Sequence, residues 1–297
     1  MRKGIERTPA GHQVVPRSNL DFGFDGDIPR FWFAGDPFKT RFFDSMSTLF
    51  PEGERFFIEC VRDYRDQVTD PELKQQVTDF IYQEGQHGMQ HNRFNARLAQ
   101  QGIRVDYIEE RNRKVIGWWR KWMPKKLTLA ITAAAEHLTA IMAHAFLGNR
   151  ELFTPVDSRM RALYFWHAIE EIEHKAVAFD VMKRVARVDY FTRIFGMIFE
   201  TIFFPFFTFL IMNHMFKTDG VRSRVKVWLK GLWWLYGPGG IMIRLLPHYL
   251  RYYLPGFHPW QTGHMAGFDQ WRKVYRESGN NPIAASNALM ALQFAVE

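Results

Sequence analysis

The segment from His167 to His174 reads HAIEEIEH and contains residue types that bind transition metals. On an α-helix, His167, Glu171 and His174 stand at positions i, i+4 and i+7, so their side chains project from one face. Apolar residues continue this face in both directions, which indicates that it is buried. Buried ionisable groups are costly unless they are paired or bind a metal. The segment therefore predicts an internal metal site.

A second segment carries a similar combination. Asp70 followed by Pro71 predicts the start of a helix, and Gly102 predicts its end. Within this helix, Glu84 and His87 lie three residues apart on a face that is otherwise apolar. The chain thus contains two copies of Glu-x-x-His on faces that are expected to be buried.

Two further helices each supply one inward carboxylate. A helix predicted from Pro51 to about Val68 turns Glu54 inward and Glu59 outward, and the alanine-rich helix after Pro124 turns Glu136 inward. One Glu from each of two helices and Glu-x-x-His from two others is the pattern of di-iron and di-manganese carboxylate bundles. The spacing predicts two Fe ions, or Mn, bound by Glu54, Glu84, His87, Glu136, Glu171 and His174.

These motifs resemble those of the ferritin-like superfamily over about residues 50–187. The whole chain resembles a bacterial group catalogued as predicted metal-dependent hydrolases. Its His-x3-Glu-x2-His motif is similar to that of di-iron arylamine N-oxygenases, whose additional histidine binds iron. The resemblance implies that His167 is a seventh ligand, and the alternative is a core histidine bonded to a backbone carbonyl.

Other polar residues lie close to the ligand candidates. His91 and His144 are one and two helical turns away from them, and either could orient a ligand carboxylate or be an ordinary core histidine. Glu170 and Glu173 flank the motif. We expect these two to lie on the surface or to hydrogen-bond the ligands.

No strand-like alternation competes with the helical patterns, so the fold class is all-α. We expect a ferritin-like four-helix bundle with an N-terminal arm and additional apolar C-terminal helices. The expected regions are an arm and short helix at 1–49, the metal-binding bundle at 50–187, and apolar, aromatic helices at 188–297 packed on the bundle or a membrane. The short helix is expected to begin at Asp36-Pro37, and the HAIEEIEH helix is expected to run to about Ala186.

Composition limits the function. The chain has 297 residues, of which 47% are hydrophobic and 24% charged, as in a globular protein. Its net charge of +8 is scattered and no nucleic-acid motif is present, so nucleic acid is an unlikely partner.

A single cysteine, Cys60, excludes an intramolecular disulfide. The N-terminus has no apolar signal segment, so we expect a cytoplasmic protein, with peripheral association with the inner face of the membrane as an option.

The segment between Arg193 and Lys217 is almost uniformly apolar and long enough to span a bilayer. Glu200 and the central Pro205 argue against a simple span. For this segment a spanning helix, a buried helix and an interfacial helix all remain open. The aromatic and basic segments that follow, from Val221 to Tyr253, suit a membrane interface, a helical cap or the surface of a homodimer.

The ligand set suits iron or manganese. We expect a non-haem di-iron oxidoreductase that activates O2 on a hydrophobic small molecule, of the monooxygenase, desaturase or N-oxygenase type, with an electron donor as partner. The first alternative is a metal-dependent hydrolase with a dinuclear site. The second is a non-catalytic iron-binding or membrane-partner protein.

Overall fold

The computed structural model describes residues 7–262 and 267–294, and these residues are helical, without β-strands. The all-α prediction is confirmed. The helices are α1 (Pro37–Arg62), α2 (Pro71–Gln100), α3 (Val105–Trp122), α4 (Lys125–Gly148), α5 (Ser158–His174), α6 (Val177–Asp180), α7 (Tyr190–Thr218), α8 (Val225–Tyr236), α9 (Ile241–Arg251), α10 (Phe268–Glu277) and α11 (Pro282–Phe294).

The predicted N-cap residues Asp36, Asp70 and Asp157 cap their helices. The Asp36 side chain accepts hydrogen bonds from the backbone N–H groups of Phe38 and Lys39 at the start of α1. Asp70 caps α2 in the same manner, and Asp157 accepts from the backbone N–H of Arg159 at the start of α5. Each cap satisfies backbone donors that have no partner within the helix.

The helix break predicted at Pro51 is wrong, because Pro51 lies inside the continuous helix α1. A proline inside a helix removes one hydrogen bond and costs about 3 kcal/mol. Burial of both halves of α1 outweighs this cost. Phe38, Phe42 and Met46 are buried before Pro51, and Phe56, Cys60 and Val61 are buried after it.

The HAIEEIEH helix ends earlier than predicted. Helix α5 stops at His174, and the chain continues through the short α6 and a π-turn at Val181–Val185. Tertiary contacts fix the end of α6, because the Asp180 carboxylate accepts from Thr8 Oγ1 at 2.7 Å and lies 3.3 Å from His258 Nε2. Sequence periodicity contains no information about these distant partners.

Four helices surround the polar cluster. Helix α1 packs against α2, and α4 packs against α5, which gives the bundle that the sequence predicts. Helix α7 lies along α1 and α4. At Gly196, a Cβ atom would come within 2.7 Å of the Ala130 backbone, so glycine allows the close approach of α7 to α4.

The N-terminal arm is part of the core. Its side chains Val14, Leu20, Phe22 and Trp32 are all buried. The arm also buries the charged side chain of Arg17, which is 7% exposed.

Within the described residues, two helices are long and apolar enough to cross a bilayer. Helix α4 is 83% buried and is a core helix, whereas α7 is only 28% buried. Length and composition alone are weak evidence for a span, because buried core helices pass the same test.

Candidate metal centre

All seven predicted ligands meet in the middle of the bundle. Helix α1 positions Glu54, α2 positions Glu84 and His87, α4 positions Glu136, and α5 positions His167, Glu171 and His174. None of these residues is more than 5% exposed. Helical periodicity therefore identified the inward face of each helix, including the choice of Glu54 over Glu59, whose side chain is 40% exposed.

The side chains form two groups with metal-binding geometry. Glu54, His87 and His167 offer ligand atoms within 4.8 Å of one another, and Glu84, Glu171 and His174 do the same. Glu136 lies beside the second group, with its Oε2 atom 3.2 Å from His174 Nε2. The candidate ligands thus form two neighbouring groups.

Two carboxylates connect the groups. Glu171 Oε1 lies 2.9 Å from His167 Nε2, whereas Glu171 Oε2 lies 3.6 Å from His174 Nε2. Glu84 Oε1 lies 3.6 Å from His87 Nδ1 and 3.1 Å from His174 Nε2. Glu171 and Glu84 therefore lie between the two groups and contact histidines of both.

Many candidate ligand atoms at the centre make no hydrogen bond, although some lie close to a neighbouring side chain. Among the described residues, both carboxylate oxygens of Glu54, Glu84 and Glu136 are buried without a hydrogen bond, as are His87 Nδ1 and His174 Nε2. Buried polar atoms are normally hydrogen-bonded, and leaving each one unpaired costs about 1–3 kcal/mol. These lone pairs converge, so metal cations fit the donor set.

The pKa values of the buried glutamates also indicate that the centre lacks compensating positive charge. Burial raises the pKa of Glu84 and Glu136 to about 8, and it raises the pKa of Glu54 well above its ordinary value. Nearby carboxylates contribute to all three shifts. The pKa of Glu171 is instead held well below its ordinary value, because the charge of His174 and the hydrogen bond from His167 outweigh the effect of burial.

A second layer of hydrogen bonds orients the histidines. His87 Nε2 lies 3.1 Å from Glu170 Oε2, and His167 Nδ1 lies 2.8 Å from His91 Nε2. His174 Nδ1 lies 2.9 Å from Gln83 Oε1. Each ligand histidine thus turns one nitrogen to the centre and bonds through the other, which is the usual arrangement around a bound metal.

The structure places His91 and Glu170 at the centre but places His144 elsewhere. The ring of His144 contacts the ring of His248 on α9, with centroids 5.1 Å apart. Two helical turns separate His144 from Glu136, which carries it about 12 Å along α4. Its predicted role in orienting a ligand carboxylate is therefore wrong.

A comparison with protein families places this centre in context. Residues 16–263 match the family described as "predicted metal-dependent hydrolase". The chain belongs to this family. No curated protein and no solved structure matches the chain, so the likeness to ferritin-like proteins stays a prediction.

In this member of the predicted metal-dependent hydrolase family, an apolar cavity of about 90 Å3 reaches the candidate metal centre. Side chains of α1, α3, α4 and α7 line it, among them Phe57, Trp119 and Phe203, and Glu54 forms part of its wall. A single water needs roughly 10–15 Å3, so the cavity has room for a small organic group. A smaller cavity of about 30 Å3 touches His167 and Glu171.

Two further residues, Thr139 and Glu200, belong to this site without having been predicted for it. Thr139 lines both cavities and donates a hydrogen bond to Glu171. Glu200 of α7 lines the larger cavity, where burial raises its pKa to about 8. The sequence signal for Glu200 is an isolated carboxylate in a long apolar helix.

Proposed function

We propose that this protein is a dinuclear metal enzyme that hydrolyses a hydrophobic small molecule. The convergence of unpartnered carboxylate and imidazole atoms in a buried cluster carries the metal part of the proposal. Family membership supports hydrolysis. The apolar cavity that reaches Glu54 supports a hydrophobic substrate.

Glu54, Glu84, His87, Glu136, His167, Glu171 and His174 would hold the ions. Carboxylates with neutral imidazoles suit iron or manganese. Bound metals would supply Lewis acidity to the reacting groups. The second-layer bonds from Glu170, His91 and Gln83 fix the histidine rings, so that the protein does not have to reorganise when the metals bind.

The cavity residues would bind the substrate, transfer a proton and position Glu171. Phe57, Trp119 and Phe203 would bind the apolar part of the substrate and exclude bulk water. Glu200, with a pKa of about 8, is able to give or take a proton near neutral pH within the same cavity. Thr139 holds Glu171 in place through its hydroxyl group.

Oxygen activation by a di-iron centre is the second candidate. The observation in its favour is that both cavities at the ligands have mainly apolar walls, which would shield a reactive oxidant from water. Such an oxidoreductase, of the monooxygenase, desaturase or N-oxygenase type, would also need an electron donor. A non-catalytic iron-binding role is the third possibility and predicts neither activity.

Metal substitution distinguishes these functions. Protein stripped of metal would be reloaded with zinc, manganese or ferrous iron and assayed with a panel of hydrophobic esters and amides. Hydrolysis by the zinc or manganese form that disappears in Glu171→Ala supports the proposal. If only the reduced iron form is active, and it consumes O2 in a Glu171-dependent manner, the enzyme is an oxidoreductase. Inactivity of all three forms towards both reactions would favour iron binding alone.

A further inference from the structure

One face of α7 is apolar and exposed along its whole length. Its residues recur every three or four positions and each is more than 40% exposed: Phe191, Phe195, Ile198, Ile202, Phe206 and Leu210. The opposite face packs on α1 and α4. A contiguous apolar stripe of this kind is rare on the surface of a soluble monomer and marks a contact surface.

Helices α8 and α9, which contact α7, also expose apolar side chains. Leu229 and Trp233 of α8, and Leu246 and Leu250 of α9, are exposed as well. The three helices are held together, because the rings of Phe216 and Trp228 have centroids 5.0 Å apart and Thr201 Oγ1 lies 3.0 Å from Tyr249 Oη. We call the exposed apolar residues of α7, α8 and α9 the α7–α9 surface.

Positive charge accompanies the α7–α9 surface. Residues 190–262 contain eight Lys and Arg against two acidic residues, a net charge of 8 − 2 = +6 out of +8 for the chain. Of the two acids, Asp219 is paired with Arg41 and Glu200 lines the cavity. The basic residues of α8, α9 and the loop before α8 are exposed: Arg222, Arg224, Lys226, Lys230, Arg244 and Arg251.

We propose that the α7–α9 surface binds an anionic lipid bilayer, with α7 lying parallel to the membrane plane. Exposed apolar side chains would enter the acyl boundary, while lysines and arginines extend to the lipid phosphates. Exposed Trp118 and Trp122 on the neighbouring α3 suit the headgroup region, and α3 is fixed to α7 by Trp119 against Phe199.

Two other occupants fit less well. A membrane span would carry α1, which packs along α7, into the hydrocarbon together with its charged residues Arg55 and Glu59. A second copy of the chain, related by twofold symmetry, would bring the same basic side chains together and cause repulsion. A bilayer with anionic headgroups satisfies both the apolar and the basic residues.

The same helix links the bilayer to the metal centre. The outer face of α7 forms the α7–α9 surface, and its inner face contributes Glu200, Phe203 and Phe207 to the cavity that reaches Glu54. A lipid-soluble substrate could therefore pass from the bilayer into the cavity beside α7. This last step rests on the proposed function, whereas membrane binding does not.

Vesicle sedimentation tests the surface directly. The metal-loaded protein would be mixed with vesicles of phosphatidylcholine alone or of phosphatidylcholine with phosphatidylglycerol. We expect stronger binding to the anionic vesicles, and a loss of at least about tenfold in partitioning for Ile198→Ser/Ile202→Ser. Lys226→Gln/Lys230→Gln should lose about tenfold in affinity for anionic vesicles only.

Tyr82→Ser/Leu292→Ser is the matched control, because both residues are exposed apolar side chains on α2 and α11. It should bind vesicles like the wild type. Metal content and melting temperature verify that each variant is folded, without reference to enzymatic activity. Wild-type protein that ignores anionic vesicles overturns the proposal. The proposal is also overturned if the wild-type protein is a dimer that does not bind vesicles and Ile198→Ser/Ile202→Ser converts this dimer to a monomer.

Discussion

The Arg17 guanidinium donates a hydrogen bond to Glu170 at 2.8 Å and another to Glu173 at 2.7 Å, all within the protein interior. Glu170 in turn bonds His87. Glu173 accepts from Gln83, which bonds His174. The N-terminal arm therefore holds histidines of both groups of the metal centre through one arginine.

Replacing Arg17 should weaken metal binding although Arg17 is not a ligand. Arg17→Gln leaves two buried carboxylates without their cation, and the histidine rings that they orient lose their support. We expect metal affinity to fall by about 10–100-fold, measured by competition with a chelator. Arg30→Gln is the control, because Arg30 also belongs to the arm but pairs with the distant Asp219. Equal losses in both variants would show that the arm acts only through stability.

The ligand assignments predict a second set of results. The protein should hold about two metal ions per chain, because its donors form two groups. Glu84→Ala or Glu171→Ala removes a carboxylate placed between the groups and should release most of the metal. Glu59→Ala should retain it, since Glu59 is exposed and pairs with Arg55 and Arg120. Elemental analysis measures the metal content of each variant. Metal loss from Glu59→Ala with none from Glu54→Ala would refute the choice of Glu54 as the ligand on α1.

Helical periodicity explains why so much of the centre could be predicted from sequence. A carboxylate such as Glu54 or Glu136 on an apolar face is visible in one helix without knowledge of its neighbours. Arg17 could not be found in this way, because the arm has no period and its partner Glu170 is 153 residues away. The continuous helix at Pro51 and the early end of α5 were missed for the same reason, since tertiary contacts determine both.

The cavity can be filled without disturbing the metal. Gly53 lines the cavity, and a Cβ atom placed there meets no atom within 4 Å. Gly53→Leu should block a substrate and lower turnover at least about tenfold, while metal content stays unchanged. It should also stabilise α1 by about 0.5–1 kcal/mol, because glycine is a poor helix former.

Gly117→Leu provides the matched control for this variant. Gly117 is an exposed glycine within α3, and a Cβ atom there also meets no neighbour. It should gain similar helix stability without any loss of turnover. A loss of metal from Gly53→Leu would mean that the cavity cannot be filled independently of the centre, and unchanged turnover would mean that the substrate does not use it.

Glu200 should make stability depend on pH. Its pKa in the folded protein is raised to about 8 by burial, from an ordinary value of 4.5. Between these two values the folded state binds more protons than the unfolded state, so the contribution of Glu200 to stability is lost as pH rises through this window. Glu200→Gln keeps the shape of the neutral acid but cannot ionise. The variant should therefore gain stability relative to the wild type as pH increases from about 4.5 to 8.

Paired urea titrations of metal-loaded wild type and Glu200→Gln measure this difference. We expect the two proteins to be nearly equal in unfolding free energy at the acidic end and to differ by about 1–3 kcal/mol at the alkaline end, after allowance for the partial exposure of the side chain. Subtracting the two curves removes the pH dependence of the metal centre, which both proteins share. Glu151→Gln, at an exposed position, should show no such difference. A constant offset between wild type and Glu200→Gln across the whole range would show that Glu200 is ionised in the cavity and cannot act there as a neutral acid.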